Sequence, residues 1–327
     1  DIFALKLNFS NINNINNSGL LYGENSLGIT ADNLTNDSSG NILSLGKLDI
    51  NSNSSLINSN QILGDDLNIT AMNLANNSII QSGNNLTLTA TDGDINNYAG
   101  GKIIGGSGIT TINALNGAFN NLDSTALFTA KNNVVFNVRD LSNKGEISVA
   151  GDLTTNISNN LTNHKTALIW GGNDLIFNVA NILTNDQADI YAHHNLIIRK
   201  NIALDSSLNQ TALVQNISGN IQSYNGDILI SATTINNQKL THRYQGSEIY
   251  TGRADWGCYD ICYHELYYFS DIIGTDTPAA NIYSGKNLTI NSDNILNDAS
   301  AFYANNNIAI TSNNLTNSGY APQIYTR

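Results

Sequence analysis

Few residues in this sequence have the type and spacing to do chemistry, and several of them share one stretch. Cys258 and Cys262, with His264 two positions on, combine thiol and imidazole groups that suit zinc. The second ligand pair that completes most such sites is absent, and no metal site is assigned. As a disulfide, the two cysteines need a tight turn that brings their Cα atoms within about 7 Å. They also need an oxidising exterior. A disulfide between Cys258 and Cys262 is the reading adopted, with free thiols and a metal as the alternatives. Around them stand Tyr244, Tyr250, Trp256, Tyr259, Tyr263, Tyr267, Tyr268 and Phe269, 8 of the 24 aromatic residues of the chain. Tyrosine and tryptophan dominate interface energetics. The cluster is therefore the candidate receptor-binding surface, and a flap that merely covers the side of the molecule is its rival.

Other groups carry less. His193 and His194 are adjacent, so on a strand they point to opposite faces and chelate poorly; they are expected to be solvated turn residues. His164 and His242 show no evident partner. Asp65-Asp66 and Asp92-Gly93-Asp94 offer oxygen ligands for calcium, but the glycine-rich nonapeptide of calcium-binding β-helices is missing, and a turn role is expected. A glycosidase needs two carboxylates facing each other about 5 to 9 Å apart. The acidic residues here are scattered over turns, and Arg139, Arg199, Arg243 and Arg253 do not cluster. No catalytic residues and no cofactor are assigned, and the chain is not expected to be an enzyme. A β-helical polysaccharide lyase or hydrolase is the remote alternative. Asn-x-Ser/Thr triplets are frequent, as chance predicts for this composition.

These groups must be positioned by a chain of unusual make-up. Of 327 residues, 57 are Asn, only 2 are Pro, and 12% are charged. A net charge of −12 with no basic run excludes neutralising many phosphates, so no nucleic-acid partner is expected. No apolar run approaches the roughly 18 residues of a membrane-spanning helix. Residues 1–6 lack the basic start and apolar core of a signal peptide, so an exported chain of this sequence is expected to be an internal piece of something longer. The 41% hydrophobic content excludes simple disorder.

The decisive feature is a repeat. An apolar-x-apolar triplet, a few small or polar residues, an apolar residue and then Asn recur in residues 67–76, 288–297 and 308–317. Triplets start near Leu27, Leu48, Leu67, Leu86, Val134, Leu153, Leu175, Leu196, Ile228, Leu288 and Ile308, with Ile109 taken as the unit between Leu86 and Val134. Alternation within each triplet means strand, and a fixed period of about 20 residues means a solenoid. Strands of about 3 to 5 residues are too short to stand alone, but they are stable when each lies on the strand of the next coil. The expectation is an all-β, right-handed parallel β-helix of about 14 coils, roughly 65 Å long at about 4.8 Å per coil. Asn is expected at the corners, for its tolerance of left-handed backbone and for side-chain ladders between coils. Pro is expected to be excluded from the ladders.

Residues 239–281 break the repeat. They are expected to form an extra-helical, aromatic-rich β excursion between coils 1–238 and coils 282–327.

The unit Gly-x-Asn/Asp-Leu-x-Ile-x-Ala/Ser-x-x-Leu-x-Asn, best matched at residues 64–76, 285–297 and 305–317, resembles the filamentous haemagglutinin family, including the CdiA-type contact-dependent inhibition exoproteins. So does the passage at 226–237 that runs into the Tyr-rich stretch and back to Ser284-Gly285-Lys286-Asn287-Leu288. The resemblance implies a secreted, cell-surface filament of a Gram-negative bacterium, exported by two-partner secretion. It implies an adhesive stalk or a receptor-binding segment that meets an outer-membrane protein or surface glycan of a target cell. It also implies an outer-membrane transporter that recognises an N-terminal secretion domain. The Asn-Pro motifs of that domain are not found here, since the two prolines are Pro278 and Pro322, and no toxin domain is recognisable. A monomer is expected.

Overall fold

Strands stack on strands one coil apart through the described residues. The computed structural model describes residues 1–201, 209–241 and 277–319. Within them the ordered elements are strands, and their pairings are parallel. The chain winds into a parallel β-helix of about 13 turns, with three faces per turn, here called A, B and C in the order the chain meets them.

Face A holds the apolar triplets. Leu7, Leu27, Leu48, Leu67 and Leu86 lie in register, and the column continues through Thr110, Val134, Leu153, Leu175, Leu196, Ile228, Leu288 and Ile308. Face B stacks Leu34, Leu56, Leu74, Ile95, Phe119, Leu141, Leu161, Leu183, Val214, Ile235 and Ile295. Face C stacks Leu21, Ile42, Ile62, Ile80, Ile103, Phe128, Ile147, Ile169, Ile190, Ile221 and Ile282. Apart from the end coils, where Leu7 is partly buried and Ile308 is exposed, these columns form one continuous buried core. Midway along it Phe119 of face B, Phe128 of face C and Phe136 of face A meet with ring centroids 5.0 to 5.6 Å apart. Each buried Leu, Ile or Phe contributes roughly 1.5–3 kcal/mol by leaving water.

Three expectations need correcting. Ile109 does not start a triplet: it is 56% exposed, and Thr110 takes the core position. Alternation puts Thr110 on the same side as Ile112 and Ala114, and a one-residue shift would turn all three outward. Second, strands are not limited to a few residues. One runs Leu20–Asn36 and another Lys47–Asn58, because pairing to the next coil persists around a corner. Third, the chain makes about 13 turns rather than 14. The long step from Leu196 to Ile228 holds a single coil, as does the step from Ile228 to Leu288.

The corner from face C to face A is closed by small residues, among them Gly23, Ser44, Gly64, Ser82 and Gly105. A Cβ on Gly64 would come within 2.8 Å of Leu48 Cβ.

The corner from B to C is closed by asparagine. Asn17, Asn36, Asn58, Asn76, Asn97, Asn121, Asn143, Asn163, Asn185, Asn216, Asn237, Asn297 and Asn317 form one ladder. Each Nδ2 donates to the Oδ1 of the next at 2.7 to 3.1 Å. The same amide also donates to backbone carbonyls, as Asn58 does to Asn60 and Ile79, both at 3.0 Å. Asparagine is therefore here for its side chain rather than for left-handed backbone. The non-glycine residues with positive φ among those described are Asn11, Thr166, Gln187, Ser218 and Ala299, only one of them Asn.

Candidate functional site

With the core and the B–C corner accounted for, function is left to the outer surface and to what leaves the rod. Beside an apolar stretch of Val135, Ile176, Ile197 and Leu229, face A carries Thr and Asn outward. Along it Asn137 donates to Asn113 (3.0 Å), Asn156 to Asn137 (2.8 Å), Asn178 to Asn156 (3.0 Å) and the Arg199 guanidinium to Asn178 (3.1 Å). Face B is also polar, with Asn120 donating to Asn96 at 2.8 Å.

At the C–A corner the acidic residues serve the turns. Asp66 Oδ1 accepts from the side chains of Asn84 and Asn85, both at 2.9 Å, and Asn85 holds its carboxyl below the ordinary aspartate range. Asp174 accepts the Asn195 backbone N–H at 2.9 Å, and Asp227 that of Asn287 at 3.0 Å. Asp94, at the A–B turn, accepts the N–H of Ala118 at 2.8 Å. Asp66 and Asp94, two of the four aspartates weighed as calcium ligands, thus hold one coil to the next. Among the described residues no group of three His, Cys, Asp or Glu is placed to hold a metal ion.

His193 and His194 are exposed and directly follow the strand Asp189–Ala192. His194 Nδ1 lies 2.5 Å from Asn173 Oδ1, and His193 Nε2 lies 3.3 Å from Asn225 Nδ2. His164 does have a partner: its Nε2 is 3.0 Å from Ser142 Oγ. Burial, with Lys144 nearby, lowers its pKa. His242 lies outside the described residues.

The candidate recognition residues Tyr244, Tyr250, Trp256, Tyr259, Tyr263, Tyr267, Tyr268 and Phe269, and the cysteines Cys258 and Cys262, also lie outside the described residues. The base from which that segment leaves is described. The face-B strand Ile228–Gln238 ends at the B–C corner, and the face-C strand Asn281–Ser284 begins beyond it. Between them Thr241 and Thr277 stand side by side: the Thr241 N–H donates to Thr277 Oγ1 at 3.0 Å. Ser218 Oγ donates to Thr277 Oγ1 at 2.9 Å and accepts the Leu240 N–H at 2.8 Å. The asparagine ladder passes beneath unbroken. Asn237 donates to Asn297 Oδ1 (2.8 Å) and to the carbonyl of Ala280 (3.4 Å), the residue that returns from the excursion.

Face C shows what sequence reasoning missed. Its outward column carries Phe3, Tyr22, Leu43, Leu63, Ile104, Trp170, Tyr191, Tyr283 and Tyr303, interrupted by Gln81, Thr129, Ser148 and Gln222. Tyr283 and Tyr303 stack with centroids 5.1 Å apart and planes 8° from parallel, and Tyr191 lies 5.8 Å from Tyr224. Burial, reinforced by Asp189, pushes the Tyr191 phenol up to about 12. The signal was present in Asp189-Ile-Tyr-Ala, Asn281-Ile-Tyr-Ser and Ala301-Phe-Tyr-Ala, where an outward tyrosine follows each buried residue.

No family model matches the chain, and no solved structure matches it. Among curated proteins it is 26% identical over 234 aligned residues to the tRNA nuclease CdiA of Escherichia coli O6:K15:H31 (strain 536 / UPEC). It is equally similar to the protein of the same name from Escherichia coli strain NC101. The match takes in 55% of this chain and 7% of each relative. The nuclease name belongs to those whole proteins, of which the matched part is small. The solenoid and this partial likeness together fit a CdiA-like exoprotein.

Proposed function

We propose that this chain is a rod segment of a secreted, cell-surface exoprotein of a Gram-negative bacterium. In this reading the coils supply reach, and residues 239–281 are the element that contacts a receptor on a neighbouring cell. The receptor is an outer-membrane protein or a surface glycan. Export through an outer-membrane transporter follows from the same reading.

One observation carries it. At the B–C corner most ladder asparagines cap a carbonyl of their own turn, two residues on for Asn58, three for Asn216 and four for Asn97. For Asn237 the capped carbonyl belongs to Ala280, on the far side of residues 242–276. The corner is closed in the same way whether the turn is short or long, so the ladder and the rod continue past a large insertion. An insertion that gathers aromatic residues, which the rod elsewhere uses sparingly, suits recognition.

Replacing residues 242–276 by a short Gly linker between Thr241 and Thr277 tests this. The expected result is an intact far-UV spectrum with loss of binding to target cells. A folded deletion that binds as before would leave the rod as an inert stalk and remove the excursion as the recognition element.

A further inference from the structure

We propose that face C is a self-association surface, on which a second copy of this chain packs antiparallel about a two-fold axis at the coil of Leu127. This goes beyond the display role of the rod and does not depend on it.

The three faces differ in kind. Faces A and B present mainly Thr and Asn, with an apolar stretch of Val135, Ile176, Ile197 and Leu229 on face A. Face C instead turns its larger side chains outward in two groups, Phe3 to Leu63 and Trp170 to Tyr303, with Gln81, Thr129, Ser148 and Gln222 among them. Extended apolar surface on a soluble chain marks an interaction site. The size suits a partner of the same length. Twelve steps of about 4.8 Å by a strand of about 13 Å give about 750 Å², close to the roughly 800 Å² per partner of a standard stable interface.

Charge chooses the partner and its direction. The charged residues turned outward on the face-C strands are Lys102, Glu146 and Asp189. Asp189 already accepts from Asn220 at 2.8 Å. Lys102 and Glu146 are exposed and lie one coil before and one coil after Leu127 in a single column. Neither is in an ion pair among the described residues. A two-fold axis along the Leu127 strand sets each Lys102 against the Glu146 of the other copy, twice over. Sheets packed about 10 Å apart are within reach of both side chains. The same operation brings Tyr22 opposite Tyr283 and Phe3 opposite Tyr303. Parallel packing would instead oppose Lys102 to Lys102 and Glu146 to Glu146, like charges that disfavour it.

Sedimentation velocity of the full chain between about 1 and 100 μM, with far-UV spectra confirming folding, is the test. The expected result is a dimer that Lys102→Glu or Glu146→Lys alone weakens by about tenfold or more, and that the double variant restores. An equimolar mixture of the two single variants is also expected to dimerise. A monomer across the range would overturn the proposal, as would association unaffected by either reversal, which would place it at the rod ends or another face. Loss without rescue in the double variant would overturn the antiparallel register.

Discussion

Asn143 tests whether the inner ladder holds the coils together. It is fully buried and takes part in four hydrogen bonds. Its Nδ2 donates to Asn163 Oδ1 at 2.9 Å and to the Leu168 carbonyl at 3.0 Å. Its Oδ1 accepts from Asn121 Nδ2 at 3.1 Å and from the Gly145 N–H at 3.2 Å. A net value of about 1 kcal/mol per bond puts Asn143→Ala at about 4 kcal/mol of destabilisation, because the partners left behind are buried. Asn143→Asp should cost more: it loses both donated bonds and sets a charge against the Asn163 and Leu168 oxygens. Asn156 is the control. It sits in the outer ladder, exposed, with bonds to Asn137 at 2.8 Å and from Asn178 at 3.0 Å. Water replaces both partners there, so Asn156→Ala should cost about 1 kcal/mol or less. Urea unfolding followed by far-UV circular dichroism gives the comparison, and hydrogen exchange across residues 121–168 shows whether the loss is local, as a one-dimensional stack allows. If Asn143→Ala fell within about 1 kcal/mol of Asn156→Ala, the ladder would be ornament and the fold would rest on its apolar columns alone.

Three further outcomes follow from the interior and from face C. Phe136→Ala removes the residue shared by both 5.0 Å ring contacts of the phenylalanine cluster; it should destabilise by about 3–5 kcal/mol in the same urea experiment. Thr155, between Phe136 and Phe177 in its column, has a buried hydroxyl with no hydrogen-bond partner. Thr155→Val should raise stability by about 1 kcal/mol, and a loss would show that the hydroxyl is satisfied. For Tyr191, whose phenol is raised to about 12 by burial and Asp189, the neutral form is favoured by the fold. Its contribution is therefore complete below the unfolded value near 10 and is lost as pH rises from there through about 12. Absorbance titration at alkaline pH should lose one tyrosine that titrates above the ordinary range in Tyr191→Phe, and an unchanged curve would contradict the assignment.

The solenoid was legible because its period is a property of spacing alone. Leu-x-Ile triplets and a trailing Asn report which side chains enter the core without reference to distant contacts. Ile109 shows the limit of hydropathy, since parity with Ile112 and Ala114 outranks the apolar character of one residue. The role of Asn shows another. A high Asn count fits left-handed turns and side-chain ladders equally well, and only the register of one coil on the next separates them: positive φ falls on Thr166, Gln187, Ser218 and Ala299, while the asparagines bond along the rod. Face C was illegible for a related reason. Its outward tyrosines lie at least 20 residues apart in sequence and become a surface only when coils stack. Sequence reasoning went instead to the stretch where aromatic residues crowd together in the chain, between Asn237 and Asn281, which contains no Asn at all.

That absence of Asn is itself informative about how the rod carries an insertion. A chain that leaves the helix gives up the coil-to-coil register in which Asn is useful, so its composition is free to change. The cost to the rod is small. Lengthening the corner turn from about 3 residues to about 43 adds only about 2 kcal/mol of closure entropy, because that cost grows with the logarithm of length. Against it stand the bonds of one ladder residue, since Asn237 donates to the carbonyls of Ala280 and Ala301 and to Asn297 Oδ1. The residues flanking 202–208, at the A–B corner one coil earlier, are tied similarly: the Lys200 N–H donates to the Asn209 carbonyl at 3.1 Å, and the Asn201 N–H to Asn209 Oδ1 at 2.5 Å. Both insertions enter where side-chain amides close the coil rather than within a face, where an added residue would shift alternation and turn the core columns outward. Corners of this helix can vary freely and faces cannot, and that asymmetry lets one architecture serve as a constant rod with a changeable attachment.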